Sequence, residues 1–157
     1  MCMYAPLLWR QVYLVCFEER HRIALLSPQA PHDCRWTLPG TRRRECESYP
    51  EAAQRLLHIL APPGALMLAA TEGRIQASAP VPSRRSRRWE TRLFLTHATD
   101  PSALTAPAGS GELYWVPYRQ AARVVTGLAI PELGYFLDGY VGGWIPDGWI
   151  TLGGPGR

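Results

Sequence analysis

Arginine is the residue type in this sequence best suited to chemistry, because it supplies all 17 basic side chains and lysine is absent. Two runs stand out: Arg42–Arg44, and a second that comprises Arg84, Arg85, Arg87 and Arg88. A guanidinium presents a planar fork of N–H donors that matches a phosphate group. The two runs and the net charge of +4 therefore permit an anionic ligand. Two plainer interpretations stay open: a G+C-rich genome explains the absence of lysine, and both runs are solvated loops.

Cysteine and histidine give weaker signals. The four cysteines show no C-x-x-C spacing, and we expect them to be free thiols. A zinc site could be drawn from His32, Asp33, Cys34 and Cys46, although nothing in their spacing favours it. The spacing of these residues does not indicate a catalytic Ser-His-Asp or Cys-His arrangement.

One helix is clearly marked among the elements that must position these residues. Ser48 can cap it, Pro50 lies in its first turn, and Glu51 follows three residues after the cap, which makes a capping box. Apolar residues at 52, 53, 56, 57, 59 and 60 form a helical stripe. The helix is predicted to end at the sequence Pro-Pro-Gly, residues 62–64.

Alternation and turn residues predict the other elements. The predicted strands are Gln11–Phe17, Ile23–Leu26, Trp36–Gly40, Ala65–Thr71, Arg74–Ala79, Trp89–His97 and Glu112–Val116. The strands on either side of residues 72–73 are expected to form a hairpin with its turn at Glu72-Gly73. Further helices are predicted at Tyr118–Thr126 and from Pro131, and the tail Gly142–Arg157 is predicted to be irregular.

The C-terminal part of the chain is rich in aromatic residues. They are Tyr135, Phe136, Tyr140, Trp144 and Trp149. Such side chains can cover a sheet face, line an interface, or stack on a base or another planar ligand.

The segment from residue 36 to residue 64 resembles the signature loop and helix of the Nudix superfamily. That signature is Gly, five residues, Glu, seven residues, then Arg-Glu-aliphatic-x-Glu-Glu-x-Gly-aliphatic, usually preceded by W-x-L-P-G. Trp36–Gly40 matches the preface, Glu47 stands at the first Glu, and Arg55 stands at the Arg with the spacing intact. In the family this Arg typically pairs with glutamates, so we expect Arg55 to form a structural salt bridge with Glu47 or Glu51.

The rest of the signature is absent. Thr41 and Pro62 replace its two glycines, and the three positions of the family's metal-binding glutamates are occupied by Leu56, Ile59 and Leu60. Mg²⁺ prefers carboxylate oxygens, so we predict that Mg²⁺ binding is weak or absent and that the chain has no cofactor. Glu112 matches a place where many family members carry another acidic residue. Glu47 and Glu112 are thus the candidate catalytic residues, although a surface role for Glu112 is the plainer interpretation.

The resemblance covers about residues 11–126 and implies an α/β fold: the Nudix fold, an α/β/α sandwich with a mixed β-sheet. We expect one domain over residues 1–157, with the C-terminal helix and tail at 127–157. No apolar run approaches the length of a membrane span, and no signal peptide is recognised, so a cytoplasmic protein is expected. The resemblance also makes a homodimer plausible.

Three functions are compatible with these features. The first is a non-hydrolytic domain that binds a nucleotide or another phosphate-bearing small molecule, with candidate ligand-binding residues Arg42, Arg43, Arg44, Arg55, Arg84, Arg85, Arg87 and Arg88. The second is a diphosphate hydrolase or biosynthetic enzyme with altered or metal-independent chemistry. The third is a module that interacts with nucleic acid or protein.

Overall fold

A seven-stranded mixed sheet organises the chain. The computed structural model describes residues 8–29, 35–78, 88–125, 130 and 132–153. The strands are β1 (Leu8–Phe17), β2 (Arg22–Leu26), β3 (Gly40–Arg42), β4 (Leu66–Ser78), β5 (Arg88–Ala98), β6 (Leu113–Pro117) and β7 (Gly148–Thr151). The helices are α1 (Tyr49–Leu60), α2 (Tyr118–Val124) and α3 (Leu133–Val141), with a 3₁₀ turn at Pro101–Ala103.

The strand order is β6-β2-β1-β5-β4-β7, and β3 pairs with β1 on the same side as β2. The central pair, β1 and β5, is parallel over ten residues, from Leu8 opposite Arg88 to Phe17 opposite His97. Strand β4 pairs antiparallel with β5 and parallel with β7. Strand β7 therefore runs antiparallel to β1.

Alternation along the strands separates the core into two layers. On one face, Val12, Leu14 and Cys16 of β1 pack with α1. On the other face, Val15 and Phe17 pack with α2 and α3. The α/β/α sandwich expected from the sequence is confirmed. Within the described parts of the chain, no helix is long and apolar enough to cross a bilayer.

Helix α1 has the boundaries that its sequence signals predict. The Glu51 N–H donates to Ser48 Oγ at 3.2 Å, which caps the first turn. Ala61 ends the helix in an extended conformation, just before the predicted Pro-Pro-Gly stop. The apolar stripe faces the core except at its fifth position, Ile59, which is 49% exposed.

The hairpin predicted around Glu72-Gly73 is wrong. Residues 66–78 form one strand, with a register shift between Leu68 and Glu72. Gly73 serves close packing there, since a Cβ at this position would lie 2.9 Å from Leu152 Cδ1. The glycine therefore admits Leu152, which follows β7, to the sheet surface.

Other boundaries differ where tertiary pairing decides the structure. Around the Pro-Gly at residues 39–40, only Gly40–Arg42 forms a strand, while Thr37 makes one isolated bridge to Leu26. The tail predicted to be irregular contains β7, which joins the sheet through β4. Helix α3 begins at Leu133, and residues 126 and 131 lie outside the described part of the chain.

Candidate functional site

The loop between β3 and α1 is tied to the helix by Arg55. Its Nε donates to Glu47 Oε2 and its Nη2 to Glu47 Oε1, both at 2.9 Å. Arg55 also donates a hydrogen bond from Nη1 to Thr41 Oγ1 at 3.1 Å and one from Nη2 to the Arg42 carbonyl at 2.8 Å. Arg55 thus forms the expected structural salt bridge with Glu47. Its donors point into the protein, although it was also named as a candidate ligand-binding residue.

Glu47 is held as a charged structural anchor. The hydrogen bonds from the Arg55 side chain and the Arg44 backbone N–H lower the pKa of Glu47 to about 2. The Glu47 side chain is only 12% exposed, and both of its oxygens accept hydrogen bonds within the protein. A metal ion or water would therefore have to compete with Arg55 for this carboxylate.

Two of the three helix positions that would carry the missing carboxylates lie in the core, and the third, Ile59, is exposed. Leu56 is 1% exposed and Leu60 is fully buried. They belong to the apolar cluster that contains Leu104 and Phe94, and the Thr105 N–H donates to the Leu60 carbonyl at 2.8 Å. Within the described ranges, no group of three or more His, Cys, Asp or Glu residues could hold a metal ion.

Glu112 lies apart from this loop. Its backbone N–H donates to Ser27 Oγ at 2.9 Å, and its carboxylate accepts the Tyr114 hydroxyl at 2.8 Å. That hydrogen bond raises the pKa of Tyr114. The described contacts of Glu112 and Glu47 share no residue, so the structure does not join the two candidate catalytic carboxylates.

The arginines of the first run have different environments. The Arg42 carbonyl accepts from Arg55, and the Arg44 backbone N–H donates to Glu47. Arg43 stacks on an aromatic ring, with its guanidinium carbon 5.0 Å from the centroid of Tyr49. In the second run, Arg88 opens β5, and the other three arginines lie outside the described residues. The same is true of the residues numbered 32–34 in the imagined zinc site, whose fourth member, Cys46, is exposed.

Tyr49 is the centre of an arginine group that the sequence analysis did not identify. The guanidinium carbon of Arg92 lies 4.6 Å from the ring centroid. The Tyr49 hydroxyl donates to Glu90 Oε2 at 2.5 Å, and Arg10 Nε lies 3.8 Å from the same oxygen. We call the three side chains around Tyr49 the guanidinium cluster: Arg10, Arg43 and Arg92.

The strand register explains why these residues meet. Arg10 lies opposite Glu90 and Val12 lies opposite Arg92, in the parallel pair of β1 and β5. Because side chains alternate along a strand, Arg10 shares the α1 face with Val12. A charged residue at a core-facing position of a predicted strand was the available signal. Its role depended on the pairing of β1 with β5, whose partner residues lie 80 positions apart in the chain.

Positive charge exceeds negative charge in the guanidinium cluster. Among the described contacts of its three arginines and Tyr49, the cluster includes one carboxylate, Glu90. The distance of 3.8 Å from Arg10 to Glu90 is too long for a hydrogen bond. The Nε atoms of Arg10 and Arg43 are buried and have no hydrogen-bond acceptor within the described parts of the chain. Burial and the bond to Glu90 raise the pKa of the Tyr49 hydroxyl, which keeps it a neutral donor. The cluster therefore offers donors and charge to an anion.

A polar cavity of about 350 Å³ lies on the opposite face of the sheet from the cluster. Gln11 and Tyr13 of β1 form one wall, and Gly109 and Ser110 form another. Arg35 supplies the only positive charge among those lining residues that the structure describes. This cavity is an alternative place for a ligand.

Comparison with solved structures identifies the architecture. An Ap4A hydrolase from C. elegans, in a binary complex, matches with a TM-score of 0.66 and 16% identity, over 85% of this chain and 96% of that one. The Nudix hydrolase RenU from M. smegmatis matches with a TM-score of 0.57 and 21% identity, over 92% of this chain and 90% of that one. The Nudix domain of Shewanella oneidensis NrtR, in complex with ADP ribose, matches with a TM-score of 0.53 and 15% identity, over 91% of each chain.

The chain therefore has the Nudix fold, as its degenerate signature predicted. No protein-family model matches the sequence, and no curated protein matches it. At these levels of identity the likeness establishes the fold, and the chemistry has to be argued from the residues.

Proposed function

We propose that this protein is a Nudix-fold binding domain that holds a phosphate-bearing ligand at the guanidinium cluster and does not perform ordinary Mg²⁺-dependent hydrolysis. The observation that carries the proposal is the pair of buried, unpartnered Nε atoms of Arg10 and Arg43 beside a single carboxylate. An unsatisfied buried donor costs free energy, which an anionic acceptor would recover.

A phosphate group suits the chemistry of the cluster. Its oxygens can accept from several guanidinium forks at once, and its charge offsets the excess over Glu90. The cation–π contacts of Arg43 and Arg92 with Tyr49 orient the two guanidiniums before a ligand arrives. Less conformational entropy is then lost on binding than with free arginine side chains.

The lack of ordinary hydrolysis follows from the residues that occupy the glutamate positions of the Nudix signature. Catalytic Mg²⁺ needs oxygen ligands, and the alkyl side chains of Leu56 and Leu60 lie in the core. Glu47 is engaged by Arg55 and would have to leave that pair to bind metal. The phosphate charge that a metal ion would neutralise is left to arginine.

The test is binding and turnover in the same samples. The protein is titrated calorimetrically with pyrophosphate, ADP and ADP ribose, and hydrolysis is followed with Mg²⁺, with Mn²⁺ and with chelator. We expect binding that survives chelation, and no turnover. Replacing both Arg43 and Arg92 by Ala is expected to weaken binding roughly tenfold or more. Arg123→Ala, on the exposed side of α2, is the matched control and is expected to bind as the wild type does.

Two further variants locate the ligand. Changing Arg43 and Arg92 to Lys keeps the charge but removes the planar fork, so an intermediate affinity is expected. Loss of binding in Arg35→Ala, with the cluster variants unaffected, would place the ligand in the 350 Å³ cavity and overturn the assignment. Strong metal-dependent turnover would overturn the non-hydrolytic proposal, with Glu47 and Glu112 as the first residues to replace.

A further inference from the structure

The guanidinium cluster continues across the α1 face of the sheet towards Trp149. Arg74 of β4 lies directly opposite Arg92 of β5, and Glu72 lies opposite Trp149 of β7. Residues opposite each other in a sheet project to the same face, so all four share the α1 face. The guanidinium carbon of Arg74 stands 4.2 Å from the centroid of the Trp149 ring. Two arginines, Arg92 and Arg74, thus lie between the Tyr49 ring and the Trp149 ring at the sheet edge.

Trp149 offers a ring surface at the end of this strip. It is 57% exposed, although a tryptophan side chain is normally well buried. Glu72 Oε1 accepts from Arg74 Nη2 at 2.9 Å and from Nε at 3.3 Å, which fixes the guanidinium plane. Arg74 therefore supports the indole ring, while the net positive charge stays at the guanidinium cluster.

We propose that this strip binds single-stranded nucleic acid, with an unpaired base on Trp149 and backbone phosphates at the guanidinium cluster. The proposal rests on the proposed function for its phosphate site and adds the class of ligand. Basic side chains that follow the backbone, together with aromatic rings that stack on bases, are the usual means of binding an unpaired strand.

The dimensions of the strip favour a strand over a single nucleotide. Neighbouring strands of a sheet lie about 4.8 Å apart, and each residue advances about 3.3 Å along a strand. Trp149 is level with Phe94 of β5 and with Leu14 of β1, which are two residues from Arg92 and four residues from Arg10. The backbone of Trp149 is therefore about 12 Å from that of Arg92 and about 20 Å from that of Arg10. Such a span places the stacked base and the bound phosphates in different nucleotides. A base can stack on the exposed Trp149 ring only if it is not already paired and stacked within a duplex.

The experiment is fluorescence anisotropy with a labelled 12-nucleotide single strand, as DNA and as RNA, over a range of salt concentrations. We expect Trp149→Ala to weaken binding roughly tenfold. Arg92→Ala is expected to weaken it and to reduce the slope of log affinity against log salt by about 0.7, the contribution of one phosphate contact on a single strand. Trp144→Ala is the matched control, because Trp144 is 80% exposed beyond α3 on the opposite layer.

The outcomes separate this inference from the proposed function. Equal binding by wild type and Trp149→Ala would overturn the stacking site, as would a duplex of the same length that binds more tightly than the single strand. If pyrophosphate or ADP binds and the oligonucleotide does not, the strip is not a nucleic-acid surface and the phosphate site stands. If no phosphate compound binds, both proposals fail.

Discussion

Leu56 and Ile59 occupy two glutamate positions of the same degenerate signature, yet they lie in opposite environments. Leu56 is 1% exposed within the α1 core, and Ile59 is 49% exposed. We predict that Leu56→Glu lowers the free energy of unfolding by at least about 3 kcal/mol, because an unpaired carboxyl group must be buried there. Ile59→Glu should change it by no more than about 0.5 kcal/mol. Urea unfolding of both variants measures the difference.

Equal stability of these two variants would contradict the packing of α1. It would mean that the Leu56 side of the helix admits water, and a metal site built from introduced glutamates would then be accessible. The pair forms its own control, since both changes introduce the same charge on the same helix.

Glu47 provides a prediction about acid stability. Its pKa in the folded protein is lowered to about 2 from 4.5, so the unfolded state binds the proton more tightly. The stabilisation from this carboxylate is therefore complete above about pH 5 and is lost as the pH falls towards 2. Glu47→Gln should be less stable than the wild type at pH 7, and the two should converge near pH 2. Thermal unfolding across pH 2–7 measures the convergence.

The comparison of variants matters because other carboxylates contribute to acid unfolding. Burial raises the pKa of Glu18, but the hydrogen bonds from Arg22 and Arg20 outweigh it and leave that pKa lowered. Glu51→Gln, which removes one carboxylate but keeps the pair of Glu47 and Arg55, controls for charge. If the difference in stability between wild type and Glu47→Gln does not vary with pH, the ionised pair of Glu47 and Arg55 is not the source of that stability.

The pairing of Arg55 with Glu47 could be predicted because both residues belong to one local loop–helix segment with recognisable spacing. The roles of Arg10 and Arg92 could not. Neither belongs to a run of arginines, and only the parallel register of β1 with β5 brings both to Tyr49. The candidate site was therefore predicted where its contacts are local and missed where they depend on strand pairing.

Among the elements, α1 is determined mainly by its own sequence. Ser48 Oγ accepts from the Glu51 N–H and satisfies a donor that the first turn leaves free. Ser48→Ala is predicted to lower the free energy of unfolding by about 1 kcal/mol. Ser48→Asn keeps an acceptor and should stay within a few tenths of a kcal/mol of the wild type. Chemical denaturation of the two variants checks this. Equal losses of unfolding free energy in both would show that the Ser48 side-chain hydrogen bond does not stabilise the helix.

Strands β4 and β7 show the opposite case. The Glu72-Gly73 pair has the composition of a turn, but Gly73 is used for its lack of a side chain against Leu152. Strand β7 has only four residues, and its partner β4 lies about 75 residues earlier in the chain. Local patterns predicted strands on both sides of residues 72–73, but they could not reveal that β4 continues through these residues or that β7 exists, because both depend on contact between distant segments.

At the scale of the whole molecule, hydrogen exchange should follow the sheet from its centre to its edge. Val12–Val15 of β1 lie between neighbouring strands and between two helical layers, whereas Trp149–Thr151 form an exposed edge. We predict that the β1 amides exchange at least roughly 100-fold more slowly than those of β7. Mass spectrometry of exchanged peptides measures this. Similar protection of both segments would contradict the sheet order or reveal a partner covering β7.

The opposite directions of β1 and β7 have a mechanical consequence. The chain enters β1 at Leu8 and leaves β7 at Thr151, and both points lie towards the same end of the strands but on different strands of the sheet. A force applied between them pulls across the sheet, so the few hydrogen bonds of β7 are loaded one after another. The ten-residue pairing of β1 with β5 keeps most of its length out of the line of pull. Under tension β7 should therefore peel away at low force, while the strands on either side of Tyr49 remain paired.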